Sequence, residues 1–164
     1  MTVAIYPGSF DPLTNGHLSL VERGLTVFDR IIVAVAKNQS KSTLFTLDER
    51  LDLLKRSLTR FSPDQVEITS FEGLTVEFAR SRGAMAIMRG LRGSADFEYE
   101  YQLAAINRHL DNQVQTVFLM ADYQWFFISS SSIKEAVSLG ASIDGLVPPA
   151  VAQGLKLKYG FQAS

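Results

Sequence analysis

Short apolar runs alternate with amphipathic stretches along the whole chain. Val3-Ala4-Ile5-Tyr6 is apolar throughout, and Ile31-Ile32-Val33-Ala34-Val35-Ala36 is a longer run rich in β-branched residues. Continuous runs of this kind predict strands buried on both faces of a parallel sheet. Val66 to Phe71 alternates apolar Val66 and Ile68 with polar neighbours, and Ala84 to Met88 and Thr116 to Met120 supply a fourth and a fifth strand. Between them the spacing turns helical. Leu18 to Phe28 is the first helix. Thr46-Leu47-Asp48-Glu49 is a capping box that starts a second, running to about Thr59 with Leu47, Leu51, Leu54 and Leu58 on one stripe. Further helices are predicted over Thr75 to Arg82, Ala95 to Leu110 and Ser130 to Leu139, the last capped by serine, and Pro148-Pro149 opens a final one.

Strands that alternate with helices imply an α/β fold: a Rossmann-like, doubly wound, five-stranded parallel sheet flanked by helices, with a C-terminal helix. No repeat, low-complexity tract or linker divides residues 1–164, so one domain is expected. In such sheets ligands bind beyond the carboxyl ends of the strands, where strand order reverses. That rule selects the loops after Tyr6, Ala36, Phe71, Met88 and Met120.

Composition narrows the picture further. With 46% hydrophobic and 20% charged residues, the 164-residue chain can bury a core without staples. A formal charge of −1 argues against a protein whose main work is coating nucleic acid. The absence of cysteine excludes disulfides, zinc–thiolate sites and a cysteine nucleophile. The sequence enters its first strand at once, without a signal-like apolar region, and no apolar run is long enough to cross a bilayer. The expected partners therefore include neither nucleic acid nor membrane, and the expected location is the cytoplasm.

The chemistry is concentrated in the selected loops. Tyr6-Pro7-Gly8-Ser9-Phe10-Asp11-Pro12-Leu13-Thr14-Asn15-Gly16-His17 joins a strand to a helix through a loop with glycines, in which Gly8 and Gly16 are expected to permit tight turns and close approach of the backbone. A helix N-terminus presents unpaired N–H groups and a dipole that favours anions, so this is a phosphate site. His17 falls in the first turn of that helix. From the residues alone two roles stand open for it: a donor to the bound phosphate, or a cap for the helix. Lys37 and Lys41 follow the second strand, Arg89-Gly90-Leu91-Arg92-Gly93 the fourth, and Trp125-Phe126-Phe127-Ile128-Ser129-Ser130-Ser131-Ser132-Ile133-Lys134 the fifth. Cations and helix-capping hydroxyls on one rim suit a polyphosphate ligand.

These blocks, in this order and spacing, resemble the nucleotidyltransferases that carry an H-x-G-H or T-x-G-H motif, and among them the bacterial phosphopantetheine adenylyltransferase family. The resemblance also covers Phe45-Thr46-Leu47-Asp48-Glu49-Arg50, Asp96-Phe97-Glu98-Tyr99-Glu100 and Asn107-Arg108-His109. It implies transfer of the adenylyl group of ATP to 4′-phosphopantetheine, giving dephospho-coenzyme A and pyrophosphate, by direct in-line attack without a covalent enzyme intermediate. It also implies Mg2+ carried mainly by the ATP phosphates, and a homohexamer.

Residue by residue, the resemblance makes His17, Lys41, Arg89 and Ser9 the catalytic set. Ser9 would lie between the substrates, with the Ser9–Phe10 backbone bordering ATP; simple turn chemistry is the other reading of that pair. Lys41 and Arg89 would grip the phosphopantetheine phosphate, although Gln39, Ser42 and Thr43 depart from the common pattern around Lys41. Leu74 and Thr75 would line the pantetheine arm, through backbone rather than side chain. Gly90, Leu91 and Arg92 would face ATP, with Arg92 on the β- or γ-phosphate or else in an ion pair with Asp96 or Glu100. Glu100 would accept from ribose, or sit on the helix surface as an ordinary carboxylate. Trp125, Phe126, Phe127, Ile128, Ser129, Ser130 and Ser131 would close the nucleotide site, with Trp125 beside the base and Phe127 in the core.

Three rival readings remain. A related nucleotidyltransferase would use nicotinate mononucleotide or a cytidylyl donor, but such relatives usually have histidine where this chain has Thr14. A nucleotide sensor would not need His17, Lys41, Arg89 and Arg92 all intact. A nucleic-acid-binding module has only the local basic loops in its favour.

Overall fold

The computed structural model describes residues 1–37 and 42–160. Its strands are β1 (Val3–Gly8), β2 (Arg30–Ala36), β3 (Val66–Phe71), β4 (Ala86–Leu91) and β5 (Gln115–Met120). Its helices are α1 (Asn15–Gly24), α2 (Leu47–Ser57), α3 (Thr75–Ser81), α4 (Ser94–Leu110), α5 (Ser130–Ser138) and α6 (Pro149–Tyr159), with a short 3-10 turn over Tyr123–Trp125. The strands form one parallel sheet in the order β3-β2-β1-β4-β5. Strand order therefore reverses between β1 and β4.

Both faces of the sheet are covered, as the continuous apolar runs require. Ala4, Tyr6, Ile31, Val33, Val35, Ala86 and Met88 pack on one side with Leu20 and Val21 of α1, Leu53 and Leu54 of α2, Ile133 and Val137 of α5, and Val151 and Leu155 of α6. On the other side Ile5, Ile32, Ala34 and Ile87 meet Val76 and Ala79 of α3. Neighbouring residues of one strand thus serve opposite cores, which follows from the period of two along a strand.

The seam between β1 and β4 opens toward the carboxyl ends. The two strands pair at Ala4–Ala86 and Ile5–Ile87, yet β1 continues to Gly8 against β2, and β4 to Leu91 against β5. The resulting crevice lies where the strand-order rule puts a ligand.

Several boundaries differ from the hydrophobic pattern, those of β4 and α1 most. β4 runs on through Arg89-Gly90-Leu91, which pair with Phe118, Leu119 and Met120. Hydrophobicity ends at Met88, but the hydrogen-bond ladder does not. Gly90 is required there, because a Cβ would collide with Leu20 of α1. α1 begins at Asn15 and ends at Gly24, earlier at both ends than expected. Phe28 kept the apparent periodicity going because it is buried, with its N–H bonded to the Gly24 carbonyl beyond the helix end. α2 starts as its capping box predicts: Thr46 accepts from the Glu49 N–H, and Glu49 accepts from the Thr46 N–H. Its buried face also includes Leu53 and Arg50.

Candidate active site

The β1–α1 loop is built around Phe10. Its φ of 47° is left-handed, whereas neither Gly8 nor Gly16 has a positive φ. A non-glycine residue held there stores strain, a common feature of functional loops. The Phe10 ring is buried, meeting Tyr6 edge-on at 5.4 Å and His17 at 5.3 Å. Gly8 makes room for it, since a Cβ would stand 3.0 Å from that ring. The Ser9 carbonyl accepts from Arg50 Nη1 at 2.8 Å, while the Ser9 side chain is exposed at the crevice.

Thr14 is the N-cap of α1, and His17 is its partner in the capping box. The Thr14 backbone N–H donates to His17 Nδ1 at 3.0 Å, and the Thr14 hydroxyl lies 3.0 Å from the same nitrogen. A backbone N–H can only donate, so Nδ1 is the acceptor and the ring proton resides on Nε2. Burial, reinforced by the charges of Arg92 and Arg89, pushes the His17 pKa down to about 4. The imidazole is neutral at neutral pH, with Nε2–H as its remaining donor.

Arg89, at the end of β4, spans the open seam. Its Nε and Nη2 donate to both oxygens of Glu100 at 2.7 and 2.5 Å, and its Nη1 donates to the Pro7 carbonyl at 3.1 Å. Burial opposes the guanidinium charge, but Glu100 outweighs it and raises the Arg89 pKa. Glu100 is accordingly buried on α4 and is not the surface carboxylate that its sequence context suggests. Arg92 donates to Asp96 through Nε at 2.9 Å, and through Nη1 to the Ile128 carbonyl at 3.1 Å, tying the start of α4 to the approach to α5. Both carboxylates of the Asp96–Glu100 pair are thus engaged by arginines. Among the described residues no three His, Asp or Glu side chains converge as a metal site.

The third wall is residues 123–131. Trp125 packs over the start of α1, where a Cβ on Gly16 would stand 3.3 Å from its Cβ, and Phe126 packs over Gly93. Phe127 is 87% exposed, which corrects its expected place in the core. It stands edge-on to Phe126, which keeps 37% of its surface exposed while packing over Gly93. Ser129 caps α5 by accepting from the Ser132 N–H, and Ser130 Oγ donates to the Pro12 carbonyl at 2.7 Å. Ser131 is exposed in the first turn. Leu74 is the N-cap of α3, without a side-chain cap bond, and Thr75 is its first residue. Lys41 lies outside the described residues.

The reversal of strand order, two helix N-termini and two arginines therefore surround one crevice, with a neutral histidine at the first of those termini. Sequence reasoning missed Asp11, Arg50 and Lys134, which hold these walls together. All three stand inside the resembling blocks, but nothing in their spacing distinguishes a buried contact from a solvated charge.

Residues 5–136 match the cytidylyltransferase-like family. The phosphopantetheine adenylyltransferase of Oleidesulfovibrio alaskensis is 54% identical over 159 residues, 97% of this chain and 92% of that protein. That of Desulfosudis oleivorans is 50% identical over 161 residues, 98% of this chain and 95% of that protein. The chain belongs to the phosphopantetheine adenylyltransferase family.

The matched residues include the T-x-G-H run at Thr14 to His17, where the loop that leaves β1 at the reversal of strand order enters α1. A solved structure of a candidate nicotinate-nucleotide adenylyltransferase from Vibrio parahaemolyticus shares the fold, with a TM-score of 0.70 over 96% of this chain and 93% of that one. At 17% identity that likeness concerns the fold alone.

Proposed function

We propose that this adenylyltransferase-family chain moves the adenylyl group of ATP to 4′-phosphopantetheine, yielding dephospho-coenzyme A and pyrophosphate, a step of coenzyme A biosynthesis. The observation that carries the chemistry is the pairing of Thr14 with His17, which leaves a neutral ring with an Nε2–H donor at a helix N-terminus. A phosphomonoester oxygen is already anionic near neutral pH and needs no protein base. It attacks the α-phosphorus in line, the bond to the β-phosphate breaks, and pyrophosphate leaves without a covalent enzyme intermediate. Such a reaction depends on positioning and on stabilising charge on phosphate oxygens.

In this reading His17 donates to the α-phosphate, and Ser9 stands between the substrates. Lys41 and Arg89 hold the acceptor phosphate, with Leu74 and Thr75 along the pantetheine arm. Arg89 already spends three N–H groups on Glu100 and Pro7, so it would serve as a fixed fork rather than a mobile grip. Arg92 neutralises the departing pyrophosphate. Phe10, Gly90, Leu91, Glu100 and the segment from Trp125 to Ser131 frame ATP. Mg2+ enters as part of the substrate, on the ATP phosphates.

The chain is read as one nucleotidyltransferase domain working in the cytoplasm as a homohexamer. Phe97 and Tyr101 on one side of α4, and Tyr99, Ile106 and Leu110 on the opposite side, are all about half exposed or more, apolar surface that favours burial against other copies. Among the described residues no helix is long and apolar enough to cross a membrane.

The deciding experiment is pyrophosphate release with ATP and magnesium, comparing 4′-phosphopantetheine with nicotinate mononucleotide. Release that depends on 4′-phosphopantetheine, with dephospho-coenzyme A as product, is expected. Release with nicotinate mononucleotide alone would transfer the reading to that acceptor.

A further inference from the structure

Three stretches of chain that carry candidate site residues meet at one carboxylate. Asp11 is 4% exposed, in the loop between Phe10 and Thr14. Its Oδ1 accepts from the Phe45 N–H at 2.8 Å, and its Oδ2 from the Leu44 N–H at 2.9 Å. The same Oδ2 accepts from Lys134 Nζ at 2.8 Å. Leu44 and Phe45 lie between Lys41 and α2, so they belong to the acceptor side. Lys134 lies one turn inside α5, whose N-terminus carries Ser129, Ser130 and Ser131 on the nucleotide side.

Burial by itself would raise the Asp11 pKa. The hydrogen bond from Lys134 and the amides of Phe45 and Leu44 outweigh it, and the carboxyl is held below its ordinary range. A buried anion with this set of donors has no neutral substitute. Asparagine offers one acceptor oxygen and turns an NH2 toward a donor. Neighbouring bonds reinforce pairs of these walls: Ser130 Oγ reaches the Pro12 carbonyl, and Arg50 reaches the Ser9 carbonyl. The Asp11 carboxylate reaches both the acceptor-side segment and α5.

We propose that Asp11 is a positioning residue for adenylyl transfer: through Lys134 and the Leu44 and Phe45 amides it keeps the nucleotide-side helix and the acceptor-side segment at a fixed separation around His17. The inference rests on the reaction proposed above. In-line attack requires the phosphate oxygen and the α-phosphorus at near-contact distance, so a loosened strut lowers turnover more than binding.

The test uses the full chain in the pyrophosphate-release assay, with near-ultraviolet circular dichroism to establish folding. Asp11→Asn and Lys134→Met are each expected to lower kcat by about 10- to 100-fold while shifting the KM for ATP less than about threefold. The double variant is expected to fall no more than about threefold below the worse single one, and Lys134→Arg to return kcat to within about threefold of the unaltered chain. If either folded single variant kept kcat within about twofold, or if the two losses multiplied in the double variant, the strut would be overturned. Should Asp11→Asn fail to fold, Lys134→Met and Lys134→Arg decide the matter by the same criteria. An unaltered chain without turnover on 4′-phosphopantetheine would instead remove the reaction reading. The strut would then be judged by hydrogen exchange: ATP should slow exchange at the Leu44 and Phe45 amides, but not in Lys134→Met. Equal protection in both chains would overturn it.

Discussion

The Thr14 backbone N–H donates to Nδ1 of His17 at 3.0 Å, and this bond decides which nitrogen of the imidazole carries the proton. A second proton on the ring would have to face that N–H. The capping box therefore fixes the tautomer as well as starting the helix, and it leaves Nε2–H for a phosphate oxygen. His17→Ala removes this donor while keeping Thr14 as N-cap. Turnover is expected to fall by about 10²- to 10³-fold, the range for loss of one preorganised donor. Steady-state kinetics beside far-ultraviolet circular dichroism check it, and a near-normal rate in a folded variant would remove His17 from the chemistry.

The same ring makes stability depend on pH. Its folded pKa is about 4, against about 6.5 for an unperturbed histidine. Between those values the unfolded chain binds a proton that the folded chain does not, so stability falls as pH drops through this window. Above pH 6.5 neither state is protonated at this group and its contribution is complete. Urea unfolding at pH 7 and pH 4.5 should show a loss on the order of 2 kcal/mol that His17→Gln removes. Nitrogen chemical shifts should also report a neutral Nε2–H ring at pH 5.

Glu100 and Arg89 form a two-pronged pair whose side chains are 10% and 26% exposed. Glu100→Gln keeps the shape and withdraws the charge, leaving the guanidinium with poorer compensation in a largely dry site. The expected cost is about 2–3 kcal/mol, below that of breaking a fully buried pair because Arg89 retains some solvent. A shift in the urea midpoint measures it. A cost under about 0.5 kcal/mol would mean that the Pro7 carbonyl and solvent hold Arg89 without Glu100.

Gly90 sits where Leu20 of α1 presses on β4. Gly90→Ala is expected to destabilise the fold by about 1–3 kcal/mol through overpacking. Leu20→Ala in the same chain relieves the collision, so the double variant should lose at least about 1 kcal/mol less than the sum of the singles. Additive losses in thermal or urea unfolding would show that the strand shifts to accommodate the methyl group.

The alternation of apolar runs and amphipathic stretches, together with the order of the polar blocks, determined the α/β class and located the site loops. Both are written in short-range periodicity, and so are the Thr46 and Ser129 caps, which depend on residues three apart. Gly90 was legible as part of a ligand loop but not as the last turnless stretch of β4, because the ladder that extends the strand is supplied by β5. Phe127 was placed in the core on hydrophobicity, yet nothing in the fold covers it among the described residues. The left-handed residue of the β1–α1 loop is Phe10, which no local pattern marks out, and its ring is buried between Tyr6 and His17.

Charge partners were the least legible. Asp11 meets Lys134 across 123 positions, and Arg50 meets Ser9 across 41. Local sequence carries no trace of such distances, because long-range pairs are chosen by how the helices pack on the sheet. The sequence by itself determined which chemical groups stand on the rim and which elements they belong to. Only the tertiary structure decided which of them meet, because burial and hydrogen-bond geometry exist once the strands have been ordered and the β1–β4 seam has opened.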